Sequence, residues 1–169
     1  METWDAITSR RNVREFSDQP LRPEDLDRIL EAGRLTPSAR NWQPWDFIAV
    51  TDPDLLKELT GVWRGAWHVA GAKAAIAVIS LTGEQELPIL NLDLGQAVMQ
   101  MMIAAADLGI GTGHASVHDQ DLARKILGFP ADRYCAHLIS VGYPADRPLR
   151  PIKAMNRKPF DEVVHRDRW

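Results

Sequence analysis

The longest uninterrupted apolar pattern in the chain runs over residues 92–108. No charged residue falls between Asp93 and Asp107, and Ala97, Val98, Met101, Met102, Ile103, Ala104 and Ala105 cover nearly every direction around a helix. Ala, Met, Leu and Gln are good helix formers, and the stretch has no proline. A helix apolar on all sides is predicted to be buried on all sides, as the central helix of a domain and one shared with a partner subunit. The stretch reads as too short, and too polar at both ends, to span a bilayer, which takes about 20 apolar residues. Gly109 is predicted to end the helix. Beyond it, Gly111, Thr112 and Gly113 form a turn whose backbone amides can lie close to a ligand, with His114 next in line.

Weaker patterns surround this helix. Trp4, Ala6 and Ile7 share a face over 4–11, and Leu26, Ile29, Leu30 and Gly33 repeat at helical spacing over 23–34, with Pro23, Glu24 and Asp25 in the first turn. Asp52 and Pro53 open a helix carrying Leu55, Leu56 and Leu59, which stops near Gly61. A further helix is predicted over 121–127, with Gly128 past its end. Strands are predicted over 46–50, 74–81 and 134–142. Trp63, Trp67 and His68 fall in a segment with no assignable period, 82–90 reads as an exposed connection, and 61–91 as a linker short of material for a lid. The segment 143–169 has four prolines and seven Lys/Arg against four Asp/Glu, yet ends in Phe160, Val163, Val164 and Trp169. Leaving these apolar groups in water is costly, so an arm packed on another subunit is predicted.

Composition narrows the classes. The chain of 169 residues suits one domain, 1–169, with 144–169 as its arm. A net charge of −3 gives no support for nucleic-acid binding. The single cysteine, Cys135, excludes an internal disulfide and an all-cysteine metal site and fits a reducing cytoplasm, and the first residues carry no secretory pattern. A soluble cytoplasmic protein is expected, without membrane or metal.

Candidate chemistry concentrates in three places. Arg10, Arg11, Asn12 and Arg14 bring planar donor forks and an amide within five positions, a set suited to phosphate, although arginines at a helix end are ordinary. Pro37 and Pro44 stiffen a loop in which Ser38, Asn41 and Gln43 stand beside Trp42 and Trp45. The glycine turn at 109–113 follows a helix and lacks the third spaced glycine, so it is not a dinucleotide fingerprint. His114 and His118 have metal-like spacing but no third ligand, and Cys135 and His137 read as strand residues.

Taken in order, these pieces resemble the flavin-dependent nitroreductase family. The resemblance rests on Arg10 to Phe16, the helix 26–34, Thr36 to Trp45, Asp107 to Thr112, Val141 to Pro144 and Arg157 to Val164, and so spans nearly the whole chain. It implies an α+β fold with a mixed, mostly antiparallel sheet flanked by helices, in an intertwined homodimer whose C-terminal arms exchange. It implies FMN at the interface and NADH or NADPH as electron donor to a small-molecule acceptor such as a nitroaromatic or a quinone, by ping-pong hydride transfer. Carried onto this chain, Arg10, Arg11, Asn12 and Arg14 would hold the phosphate, ribityl chain and pyrimidine edge. Pro37, Ser38, Asn41 and Gln43 would approach from the other subunit, Gly111, Thr112 and Gly113 would line the ring, and Arg157 would return to the phosphate. Asn12 stands where the family usually has Ser, and Gly113-His114 replaces a bulky or sulfur-containing pair, which makes His114 a candidate proton donor or a turn residue. A non-catalytic flavin-binding dimer, or other flavin chemistry such as dehalogenation or flavin cleavage, are the alternatives.

Overall fold

A computed structural model describes residues 1–82 and 87–169. Helix α1 (Thr3–Ser9) leads through an extended segment to α2 (Pro23–Arg34), then β1 (Asp46–Val50) and α3 (Pro53–Glu58). Two 3-10 helices, Leu59–Val62 and Arg64–Val69, precede β2 (Ala74–Leu81). Helix α4 (Leu87–Asp107), β3 (Gly111–Ser116), α5 (Gln120–Leu127), β4 (Arg133–Gly142) and a short α6 (Phe160–Val163) complete the chain.

The four strands form one sheet in the order β1-β2-β4-β3, antiparallel at every pairing. The expected mixed character reduces, among the described residues, to one isolated parallel bridge between Asn12 and Thr112. Both faces of the sheet are covered, so β2 reads as an unbroken apolar run, buried from Ala74 to Ser80. One face packs under α4 and α2 through Ile29, Ile76, Leu94, Met101, Ile110 and Ile139. The other packs under α3, the 3-10 helices and α5 through Leu56, Leu59, Val69, Ala77 and Leu138.

Local signals act as predicted at several ends. Asp52 accepts hydrogen bonds from the amides of Asp54 and Leu55, and Asp119 accepts one from Leu122. Gly109 and Gly128 adopt φ of 74° and 73°, the left-handed conformation that ends α4 and α5.

Two expectations change. Helix α4 begins at Leu87 and spans 21 residues, so by length and composition it is long and apolar enough to cross a membrane; its packing against α1, α2 and the sheet makes it a core helix instead. It is not enclosed in the single chain, because Leu92 and Met99 are 63% and 41% exposed. The stretch 61–91 is no linker: it holds the 3-10 helices, β2 and the start of α4, with 83–86 outside the described residues.

Candidate functional site

Beyond α1 the chain runs along the free edge of β3. The amide of Val13 donates to the Thr112 carbonyl at 2.8 Å, and Asn12 bridges Thr112. Farther on, Phe16 bridges Pro144, and the Ala145 amide donates to Glu15. The start of the C-terminal segment is thus tied to the arginine-rich segment. It then docks on α1, where the Ile152 amide donates to Thr8.

This threading brings distant cations together. Arg10, Arg11, Asn12 and Arg157 line one groove of about 520 Å³, whose apolar wall is Trp4, Ile7, Met99 and Ile103. Within it Arg11 donates to Asp146 at 2.6 Å and to the Arg147 carbonyl, so its charge is partly offset. The same contact holds the Asp146 carboxyl below the ordinary carboxylate range. Arg10 makes only a 3.5 Å contact to Asn12, and Arg157 donates to the neighbouring Asn156 carbonyl.

The Pro37–Gln43 loop lies elsewhere, held at the start of α4. The buried Asp93 carboxylate accepts from the Ala39 amide at 3.1–3.2 Å. Ser38 Oγ accepts from the Gln43 amide, and Gln43 Nε2 donates to the Asn41 carbonyl. Arg40, Asn41 and Gln43 have positive φ values of 51°, 59° and 48°, a conformation that costs non-glycine residues and clusters at ligand-binding loops. The Arg40 guanidinium lies 5.2 Å from the Trp42 ring. Trp42, Gln43 and Trp45 line a separate cavity of about 600 Å³ with Leu81, Leu90 and Arg133. None of the described cavities is lined by both sets of predicted residues.

At 111–116 a strand replaces the predicted turn, and its glycines serve the fold. A Cβ on Gly111 would lie 2.6 Å from a Val13 methyl, and one on Gly113 would lie 2.4 Å from the Val13 carbonyl and 2.7 Å from Ser140 Oγ. The closely approaching group is this chain's own segment. The strand's signal was Thr112, His114 and Ser116 at alternate positions, hidden by Gly111 and Gly113 beside Thr112.

Three histidines gather here, two of them without a sequence signal. His68, 1% exposed, has Nδ1 2.8 Å from Ser140 Oγ. His114 Nε2 lies 2.9 Å from His137 Nδ1. Burial, and then the nearby Arg14 guanidinium, hold both His68 and His114 below the usual imidazole range. Burial and then His114 bring His137 down to about 4. Cys135 is a packing residue, its thiol pushed up to about 12 by burial. His118 stacks on Trp63 instead of joining His114, and no cluster of metal-ligating groups occurs among the described residues.

The model of the Nitroreductase family matches residues 7–86 and 64–143. The chain belongs to this family. A protein of Archaeoglobus fulgidus named as an NADH dehydrogenase/NAD(P)H nitroreductase is 31% identical to it over 96% of both chains. The FMN reductase [NAD(P)H] of Bacillus subtilis is 27% identical over 93% of this chain and 73% of its own. A solved NADH dehydrogenase/NAD(P)H nitroreductase from Parabacteroides distasonis superposes with a TM-score of 0.84 at 27% identity, covering 100% of this chain and 99% of its own. In this nitroreductase-family chain the arginine groove sits on α4's exposed side.

Proposed function

We propose that this protein is an FMN-dependent oxidoreductase that takes electrons from NADH or NADPH and passes them to a small electrophile such as a quinone or a nitroaromatic. The observation that carries the reading is the convergence of Arg10, Asn12 and Arg157, from opposite ends of the chain, on one groove. Two guanidinium groups that form no ion pair among the described residues suit a phosphate of nearly two negative charges. The groove's volume and apolar wall suit a cofactor body. Arg11, tied to Asp146, braces the groove and contributes less charge to it.

Bound FMN would supply the two-electron chemistry, and the chain's residues would bind and tune it. Arg10, Asn12 and Arg157 would hold the phosphate end, and Arg14 would lie toward the pyrimidine edge. Gly111, Thr112 and Gly113, which the Val13 segment covers and which do not line the groove, would support that segment from behind. Pro37, Ser38, Asn41 and Gln43 do not line the groove of their own chain, which supports a homodimer in which each site is completed by the other subunit's loop. The exposed Leu92, Met99, Phe160, Val163 and Trp169 support the same assembly and an exchanged arm. A single domain over 1–169 accommodates all of this.

Anaerobic titration tests the reading. The purified protein should be yellow, bleach with NADH or NADPH, and recolour with 1,4-benzoquinone or a nitro compound. Colour without bleaching would leave a flavin-binding dimer without turnover.

A further inference from the structure

We propose that His114 and His137 form a two-imidazole relay that carries a proton from solvent to the electron acceptor, with His114 as its delivering end. The inference rests on the flavin reading above, but its geometry belongs to this chain alone. His114 Nε2 and His137 Nδ1 stand 2.9 Å apart, with ring centroids separated by 4.8 Å and planes inclined at 50°. The β3–β4 register produces this contact, pairing His114 with Ile139 and Ser116 with His137 so that the two rings meet diagonally. The parallel bridge from Asn12 to Thr112 carries the neighbouring segment alongside β3, bringing Arg14 up to His114. With Arg14 assigned above to the pyrimidine edge, His114 is the ring nearer that edge, although neither imidazole lines the Arg10–Arg157 groove itself.

A hydrogen bond between two neutral imidazoles holds one proton between them, leaving one outer nitrogen on each ring. Those outer atoms, His114 Nδ1 and His137 Nε2, are not among the sealed, unpartnered polar atoms, in contrast to His68 Nε2. One state has His114 protonated on Nδ1 and His137 on Nδ1. A proton entering at His137 Nε2 lets the Nδ1 proton pass to His114 Nε2, and the His114 Nδ1 proton leaves to the acceptor. Both rings end protonated on Nε2 and neutral, and one proton has crossed. This is the proton that a quinone or nitro group needs with each electron pair. After the His114–His137 bond opens, each ring gives its Nε2 proton to water and takes one on Nδ1, which resets the pair.

The surroundings favour neutral rings. Arg14 faces His114 from the N-terminal segment, His68 approaches from the 3-10 helix behind Gly113, and Cys135 on β4 carries no charge. The acids of α4 are engaged elsewhere, Asp93 with Ala39 and Asp107 with Met1 and Arg28. No carboxylate pairs with either ring among the described residues. His137 acts through His114 and is a positioning residue.

The decisive comparison uses two acceptors. Reoxidation by 1,4-benzoquinone consumes protons, whereas ferricyanide takes electrons alone. In stopped-flow experiments with His137→Gln and His114→Gln, benzoquinone reoxidation should slow by about a hundredfold, the scale of general acid catalysis, while ferricyanide reoxidation keeps the wild-type rate. Wild type should also show a solvent deuterium effect on the benzoquinone reaction that the variants lack. Equal slowing with both acceptors, or no slowing with either, would overturn the relay. Should a variant lose its flavin, long-range ¹H–¹⁵N spectra of the wild-type imidazoles decide. Complementary protonation across the shared bond supports the relay, and two rings titrating independently refute it. A wild-type protein that never binds FMN would instead defeat the underlying functional reading.

Discussion

Arg14 and His137 show how single residues acquire properties from neighbours far away in sequence. Arg14 makes no ion pair with Glu15 or Asp18 among the described residues, where Lys73 takes Asp18, and its charge bears on His68 and His114. A cation there favours the more negative, reduced cofactor. Arg14→Ala should therefore lower the midpoint potential of bound FMN, and Arg14→Lys should restore part of it, as read by spectroelectrochemical titration. His137 gives a prediction about stability. Its imidazole titrates near 6.5 when unfolded and at about 4 when folded. Between those values the unfolded chain binds more protons, so the stability present above pH 6.5 is lost as pH falls toward 4. At about 1.4 kcal/mol per unit, the loss over the whole window is on the order of 3–4 kcal/mol. Urea unfolding of His137→Gln should show a correspondingly shallower fall between pH 7 and 5. The arginine cluster was legible in sequence because its members stand side by side. The histidine pair was not, since 23 residues separate its members and only strand register joins them.

The elements were read mostly from periodicity, and the errors have physical causes. Residues 23–34 and 74–81 emerged with the predicted bounds because their apolar spacing is undisturbed. Strand β3 was taken for a turn because Gly111 and Gly113, which suit flexible backbone, are there to let Val13 pass. Gly113→Ala must push the Val13 carbonyl or Ser140 away, an overpacking cost of about 1–3 kcal/mol. Gly71→Ala meets nothing within 4 Å and is the control, so an equal loss of urea stability in both would remove the packing argument. The start of α4 matters for another reason. Asp93 fixes the strained Pro37–Gln43 loop through the Ala39 amide, a hydrogen bond to a charged group worth about 1.5–3 kcal/mol. Asp93→Asn keeps the shape and removes the charge. It should weaken FMN binding in fluorescence titrations while leaving the Arg10–Arg157 groove intact, because the loop reaches the cofactor only when ordered.

At the scale of the molecule, one chain holds both halves of the proposed site without joining them. The arginine groove is walled by the same side of α4 that exposes Met99, next to Trp4 at 72% and Ile7 at 42% exposure. The tail ends with Phe160 at 63%, Val163 at 55% and Trp169 at 101% exposure. Apolar surface of this extent on a core helix and an extended arm calls for a cover, and in the proposed homodimer a second copy would supply one while bringing its Pro37–Gln43 loop to the groove. The expectation of a dimer came from the all-apolar composition of α4 and the apolar end of the tail as well as from the family resemblance. Two variants separate assembly from folding. Leu92 and Met99 contribute little to the single-chain core, so Leu92→Glu and Met99→Arg should leave the monomer's packing intact but place charge in the interface. Wild type should sediment as a dimer at micromolar concentration with or without FMN. Each variant should sediment as a folded monomer and lose FMN, and Leu92→Glu reports on assembly alone because Met99 also walls the groove. Cutting the chain after Pro159 should weaken the dimer in the same assay by removing the arm's apolar end. A wild-type monomer that retains flavin stoichiometrically would show that one chain completes the site, and would send the Pro37–Gln43 loop back to a purely structural role.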